Sequence, residues 1–96
     1  MVQITDCAQD TRLIGAITEC TALNSSLSGI KIESSEEIPS GSQLDIWLDL
    51  KQERRKYHLM GDVRWVKQMT RNDDIYHSGI LLRNGCATDI DEWRKI

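Results

Sequence analysis

The sequence predicts an all-β fold, a six-stranded antiparallel barrel followed by a short C-terminal helix. Apolar and polar residues alternate with period two over residues 44–50 and 57–66, the pattern of strands with one buried face. Only residues 88–96 have the composition of a helix, and polar turns separate the other apolar runs at hairpin spacing. Closure into a barrel would protect the strand edges, so we expect a barrel rather than an open sheet.

Composition limits the chain to one domain, residues 1–96, with a modest core. The 12 basic and 15 acidic residues give a net charge of −3, which argues against binding to a nucleic acid polymer. No apolar run could cross a bilayer and residues 1–10 lack a secretory signal, so we expect a cytoplasmic protein without membrane insertion. The cysteines Cys7, Cys20 and Cys86 are widely spaced, and we expect them to be reduced and mostly buried.

The first three predicted strands lie in the N-terminal third of the chain. Residues 2–5 form a short strand, and residues 12–23 form a longer strand whose imperfect alternation indicates a bend at Gly15. Residues 24–29 form a polar turn, and alternating residues 30–33 form the third strand.

The other predicted elements follow in a regular series: a loop at 34–42, strands at 44–50, 57–66 and 75–82, and hairpin turns at 51–56 and 70–73. In the tail, Thr88 is the expected N-cap and acidic side chains favour the first helical turn. Ile90 and Trp93 share one face of that helix, which we expect to lie across the end or side of the sheet.

The titratable side chains do not suggest an enzyme. His58 and His77 are the only histidines, and no catalytic or metal-binding motif surrounds them. Asp45 and Asp49 lie on the polar face of a strand, where solvation explains them. We therefore expect a non-catalytic protein with no metal site and no cofactor.

The polar turn at residues 24–29 is the most informative segment. Asn24 can cap a turn, the hydroxyl of Ser26 can donate to an anion or to the backbone, and Gly29 permits a positive φ or a close backbone approach. Such a turn can offer hydroxyl and N–H groups to a phosphate. An ordinary polar turn has the same composition, so the residue types alone leave both interpretations open.

The tryptophans suggest a second surface. Trp47 lies among acidic residues on the polar face of its strand, where it is either exposed to a protein partner or covered by the terminal helix. Trp65 and Trp93 are expected either in the core or in the packing between the helix and the sheet. A solvated hairpin tip explains the densest basic cluster, which consists of Lys51, Arg54, Arg55 and Lys56.

In this order the elements resemble a PilZ domain, the bacterial module associated with cyclic di-GMP signalling. The segment Asn24-x-Ser26-x-x-Gly29 is similar to the family's motif, Asp or Asn followed by x-Ser-x-x-Gly, and a Gly-Ile-x-Ile strand continues from it. Residues 38–41, 61–65 and 78–82 are similar to the family's later landmarks in order and spacing. The resemblance covers nearly the whole chain and implies a PilZ-like barrel.

The resemblance also implies a ligand. Asn24 and Ser26 would contact the guanine or phosphate groups of cyclic di-GMP, and Gly29 would let the turn close beneath them. The family's second binding element, Arg-x-x-x-Arg before the first strand, is missing, because the first basic residue is Arg12 and Ala16 stands four positions later. Two lost arginine contacts would cost several kcal/mol if each charged hydrogen bond contributes about 1.5–3 kcal/mol.

Two hypotheses follow from this pattern. In the first, the chain is a non-catalytic signalling module with a complete or residual cyclic di-GMP site, and arginines upstream in a longer protein would complete that site. In the second, it is a divergent PilZ adaptor that acts through protein contacts around Trp47 and the terminal helix. The pairs Lys51/Arg55 and Lys67/Arg71 repeat the spacing with lysine first, but they lie near hairpins and receive no binding role.

Overall fold

The structure, a computed structural model, describes residues 1–50, 55–69, 74–85 and 88–95. Its elements in chain order are β1 (Val2–Asp6), a 3-10 helix (Thr11–Leu13), β2 (Ile17–Thr18), β3 (Cys20–Ser25), β4 (Gly29–Ser34), β5 (Gln43–Leu50), β6 (Arg55–Gln68), β7 (Tyr76–Arg83) and α1 (Ile90–Trp93). The predicted all-β class with one short C-terminal helix is confirmed.

The strands form a single antiparallel sheet in the order β2-β1-β5-β6-β7-β4-β3. Strands β2 and β3 lie at opposite edges of this sheet, although only Glu19 separates them along the chain. Because one residue spans both edges, the sheet must curl until the edges approach each other. Within the described residues the hydrogen-bonded ladder remains open there, so the domain has seven strands in a curled sheet where six in a barrel were predicted.

The prediction of one continuous strand over residues 12–23 is wrong. A 3-10 helix occupies its start, and Asp10 caps that helix by accepting a hydrogen bond from the backbone N–H of Arg12. Gly15 has a φ of +91° and turns the chain before β2 rather than within a strand. The remaining strand divides at Glu19 because its first part pairs with β1 and its second part pairs with β4.

The core lies on the inner face of the curled sheet. The alternation that predicted the two longest strands is confirmed, since β5 buries Leu44, Ile46 and Leu48 while Asp45 and Trp47 on the other face remain partly exposed. Each buried Leu or Ile side chain contributes about 1.5–3 kcal/mol. The other buried apolar side chains of the strands are Val2, Ile4, Ile30, Ile32, Tyr57, Leu59, Val63, Ile80 and Leu82.

The tail folds onto the core, but its helix is a single turn. Asp89 occupies the N-cap position instead of Thr88. Its carboxylate does not cap the helix, because it accepts a hydrogen bond from the backbone N–H of His58 at 2.8 Å. Ile90 and Trp93 are both buried, as their shared face predicted. The Trp93 ring packs edge-on against Tyr57 with centroids 5.4 Å apart, which fixes the tail against β6.

Two predicted turns contain residues outside the described ranges. The first hairpin tip, residues 51–54, and the second, residues 70–73, are both outside them. Among the residues that the structure describes, no helix is long and apolar enough to span a membrane.

Candidate functional site

The turn between β3 and β4 closes on itself through Ser26 and Gly29. The backbone N–H of Ser26 donates to the carbonyl of Gly29 at 2.8 Å, and the N–H of Gly29 donates to the Ser26 hydroxyl oxygen at 3.2 Å. Serine and glycine at this spacing therefore close the turn through their own hydrogen bonds, which need no ligand. The Ser26 hydroxyl oxygen lies 3.5 Å from the Gly29 carbonyl oxygen, which is the outer limit of a hydrogen bond. The Ser26 O–H can therefore still donate to another group.

Gly29 is required by space rather than by a left-handed backbone. A Cβ atom at this position would lie 3.1 Å from the carbonyl oxygen of Ile80 on β7, closer than side chains normally approach. Next to it, the N–H of Leu82 donates to the carbonyl of Ser28 at 2.8 Å. Glycine thus lets the turn lie directly on the neighbouring strand, as one of the two sequence-based interpretations proposed.

Arg94 fastens the same turn to the end of the chain. Its Nε donates to the carbonyl of Leu27 at 2.9 Å, and its Nη1 donates to the side-chain oxygen of Asn84 at 2.6 Å. Leu27 is 68% exposed at the tip of the turn, so its carbonyl would otherwise face water. The guanidinium fork connects the turn to the residues that follow β7 and α1.

A shallow cavity of about 310 Å³, the motif cavity, lies between this turn and the outer face of the sheet. Its base is a row of paired residues, Trp65, Gly79, Lys31 and Asn24, which cross β6, β7, β4 and β3 in that order. Ser26 and Gly29 line one side of the cavity, and Arg64 lines another. The three residues predicted to bind a ligand therefore lie around one cavity.

The prediction that Trp65 belongs to the core is wrong, because its side chain is 44% exposed on the outer face. The alternation of β6 places Val63 inside, and strict alternation would also place Trp65 inside. A bulge at Arg64 adds one residue between the paired positions and moves the following side chains to the opposite face. The adjacent apolar residue Val66, which is partly buried against the core, was the sequence signal of this change.

A second bulge has the same effect on the other wall of the cavity. Ala22 is paired with Ile32 and Asn24 with Lys31, so Leu23 is the extra residue. Without this bulge, strict alternation would place Asn24 on the inner face with Ala22. Both bulges therefore bring a cavity residue to the outer face.

Gly79 leaves space on β7 for the Trp65 indole. A Cβ atom at Gly79 would overlap the five-membered ring of that indole. The glycine therefore leaves a trough in β7 in which the ring lies, and the ring extends the cavity with a flat apolar surface.

Several polar groups around the motif cavity have no partner within the described part of the chain. These are the Asn24 amide, the Lys31 ammonium and the Arg64 guanidinium, all of them close to the outer face. In contrast, the nearby Arg83 is occupied, because its Nε donates to Asp62 at 2.6 Å and this hydrogen bond raises the pKa of Arg83. The free groups give the cavity positive charge and both kinds of hydrogen-bonding atom.

Other basic residues do not contribute to this cavity. Arg12 forms an ion pair with Asp10 at 2.9 Å, and its guanidinium holds the pKa of the Asp10 carboxyl below the usual range. Arg55 contacts Asp89 and lies over the Tyr57 ring at 4.5 Å, rather than forming a free basic tip. Lys51 and Arg71, which belong to the two lysine-first pairs, lie outside the described residues.

The histidines are held in surface pairs. His58 Nε2 lies 3.1 Å from the Asp45 carboxylate, and the His58 ring stacks on Trp47 with centroids 5.1 Å apart. His77 Nε2 lies 3.3 Å from Glu33 on the adjacent strand. Trp47 is therefore half-buried by an aromatic neighbour on its own face, and it borders a second cavity.

Among the described residues, no three His, Cys, Asp or Glu side chains lie close enough to hold a metal ion. Cys7 is buried and Cys20 is partly buried, and both are free thiols, whereas Cys86 lies outside the described residues.

Comparison with known proteins gives one finding. The family model for the PilZ domain matches residues 3–92, which include β2 to β7, all of β1 except Val2, and most of α1. Neither the curated proteins nor the solved structures give a match to the chain.

Proposed function

Because the chain belongs to the PilZ domain family, a family of cyclic di-GMP signalling modules, we propose that it binds cyclic di-GMP in the motif cavity. The observation that carries this proposal is the convergence of the motif turn, two free cationic side chains and a half-exposed indole on one cavity. Cyclic di-GMP is a dianion with planar guanine bases. A site for it therefore requires positive charge, hydrogen-bonding groups and a stacking surface together.

Lys31 and Arg64 would meet the phosphates. They approach the cavity from β4 and β6, on either side of β7, so they can contact different edges of one ligand. Hydrogen bonds to charged groups contribute about 1.5–3 kcal/mol each. In this proposal the two cations of the sheet supply positive charge to the phosphates.

Trp65 and Asn24 would recognise a guanine base. The indole offers a flat face on the outer surface, and stacking of a base on an aromatic ring contributes about 1–3 kcal/mol. Asn24 offers both an amide donor and a carbonyl acceptor at the far end of the same row. Ser26 would add its O–H, while its oxygen continues to accept the Gly29 N–H.

Calorimetric titration with cyclic di-GMP tests the proposal on the full chain. We expect Asn24→Ala and Ser26→Ala each to weaken binding by about two- to tenfold, the effect of one hydrogen bond. Ser35→Ala is the matched control, because Ser35 is an exposed serine directly after the opposite end of β4. Absence of heat at saturating nucleotide, or equal binding by all three variants, would falsify the assignment of this cavity.

A second candidate function is favoured by one observation. Trp47 borders a larger cavity of about 710 Å³, the seam cleft, which lies between β3 and β5 and is also lined by Trp93 of the terminal helix. A protein-docking role around Trp47 therefore remains the alternative function, and it does not exclude nucleotide binding at the motif cavity.

A further inference from the structure

The outer face of the sheet carries a second row of side chains beside the base of the motif cavity. This row consists of Lys67, His77, Glu33 and Thr21, which are paired across β6, β7, β4 and β3 in that order. On β4, Glu33 follows Lys31 by two residues, so both side chains point to the same face and their Cα atoms lie about 7 Å apart. The Glu33 carboxylate is therefore within side-chain reach of one of the two free cations of the cavity.

Glu33 is held by His77 and not by Lys31. The Nε2 atom of His77 lies 3.3 Å from a carboxylate oxygen of Glu33 on the adjacent strand. An ionised carboxylate only accepts hydrogen bonds, so Nε2 carries the hydrogen. Among the described residues, no ion pair joins the Glu33 carboxylate to Lys31. The lysine ammonium thus remains available to an anion in the motif cavity.

The burial of His77 explains why it keeps this partner. Its side chain is only 15% exposed, and its Nδ1 atom is buried without a hydrogen-bond partner in the described part of the chain. Without Glu33, both ring nitrogens would be unpartnered in a mostly buried ring. That loss costs more than an exposed lysine–glutamate pair contributes, so the carboxylate stays with His77 and leaves Lys31 unpaired.

The surroundings of Glu33 would direct a released carboxylate toward Lys31. Glu19 and Asp74 border a third cavity, of about 340 Å³, together with Glu33, and their like charges repel the carboxylate from that side. Lys67 lies two strands away on β6, at roughly 10 Å between Cα atoms, whereas Lys31 lies on the same strand. A released Glu33 would therefore neutralise the cation of the cavity.

We propose that His77 is a positioning residue of the motif cavity: by holding the Glu33 carboxylate, it keeps the Lys31 ammonium free for a phosphate of the ligand. Neither His77 nor Glu33 lines the cavity, so both act through Lys31. This inference rests on the proposed binding of cyclic di-GMP for the identity of the anion. The hold on Glu33 itself can be measured without nucleotide.

Acetylation of the full chain by a succinimidyl ester, measured by mass spectrometry at each lysine, tests this hold. In His77→Ala, Lys31 should react about threefold more slowly relative to Lys95, because an adjacent carboxylate favours the charged, unreactive ammonium. In the double variant His77→Ala with Glu33→Gln, the relative rate should return to that of the unmodified chain. Slower reaction at Lys67 instead of Lys31, or no change at either lysine, would overturn the proposal.

Glu33→Gln alone is a second test that leaves His77 in place. Because Lys31 has no carboxylate partner to lose, its acetylation rate relative to Lys95 should stay within about twofold of the unmodified chain, the screened effect of a nearby unpaired charge. A larger acceleration would show that Glu33 already pairs with Lys31, which contradicts the proposal. This test remains decisive if His77→Ala does not fold.

Calorimetric titration with cyclic di-GMP connects the pair to the ligand site. His77→Ala should weaken binding by about three- to tenfold, because one cation is neutralised. In the Glu33→Gln background the same substitution should change affinity by less than about twofold. His77→Gln, whose amide N–H can replace the Nε2 donor, should restore most of the affinity. Equal losses in both backgrounds would show that His77 only supports the fold, and would contradict a positioning role.

Failure of nucleotide binding and failure of the positioning role are distinguishable. Absence of heat from the unmodified chain would remove the proposed function, while the acetylation rates of Lys31 would still decide whether His77 holds Glu33. Normal binding by the unmodified chain without coupling between His77 and Glu33 would remove the positioning role and leave the nucleotide site in place.

Discussion

The motif cavity and the seam cleft use the same strand in opposite ways. At the C-terminal end of β3, Asn24 and the following turn present side chains above a paired sheet, and the neighbouring free groups are cationic. At its start, Cys20 and Ala22 border the seam cleft, where β3 and β5 are not paired with each other within the described residues and Glu19 contributes negative charge. One short strand thus borders two cavities, one above paired strands and one beside an interrupted ladder.

The difference follows from where the sheet is complete. Four strands are paired side by side beneath the motif cavity, so only side chains are available there. Beside the seam cleft the ladder between β3 and β5 is interrupted within the described residues, so that cavity lies at a break in the sheet. The two regions should therefore respond to different substitutions, and the following predictions separate them.

The largest expected effect is charge reversal in the motif cavity. The double substitution Lys31→Glu with Arg64→Glu removes both free cations and adds repulsion, so cyclic di-GMP affinity should fall by about a hundredfold or more. Calorimetry measures this change. The double substitution Lys67→Glu with Lys95→Glu is the matched control, because it changes the net charge by the same amount and neither exposed lysine lines the cavity. Equal losses in the control and in Lys31→Glu with Arg64→Glu would show that only net charge matters.

The next effect concerns the trough at Gly79. Gly79→Ala should displace the Trp65 indole and reduce cyclic di-GMP affinity by about tenfold, the value of one base–aromatic stack. Trp65→Ala should have a similar effect. In a double-mutant cycle, Gly79→Ala should add almost nothing to Trp65→Ala, because both remove the same surface. Fully additive losses would separate Gly79 from the indole.

The smallest expected effect tests the attachment of the turn. Arg94→Ala removes the hydrogen bonds to Leu27 and Asn84 without touching the cavity, so cyclic di-GMP affinity should fall by only about threefold. Faster amide exchange in residues 26–29 would identify a loosened turn as the cause. Lys95→Ala is the control, because the Lys95 side chain is 72% exposed and, within the described residues, its ammonium pairs only with Glu92 at 3.8 Å. An unchanged affinity together with faster exchange would show that the turn need not be rigid.

The strands with one clean buried face were predictable from local pattern. Alternation at Leu44, Ile46 and Leu48 identified β5, and the pair Ile90 and Trp93 identified the inner face of the tail. The segment before Asn24 was not predictable, because its division at Glu19 serves pairing with two strands that are distant in sequence. Propensity has no access to such non-local pairing.

The candidate site divides along the same line. The spacing of Asn24, Ser26 and Gly29 identified the turn correctly, and the short-range hydrogen bonds between Ser26 and Gly29 explain why a local pattern was sufficient. Trp65 was predicted in the core, and the bulge that turns it outward depends on the register with β7.

The sequence by itself determined the all-β class, the motif turn and the family, since each depends on residues that are close together in the chain or on their order along it. Only the tertiary structure decided which face each side chain occupies and which strand edges remain free. Two bulged residues, Leu23 and Arg64, bring Asn24 and Trp65 to one surface, and the crossing at Glu19 opens the seam cleft. The physical reason is that a period-two strand reverses its faces when the register shifts by one residue, and that shift is set by the partner strand.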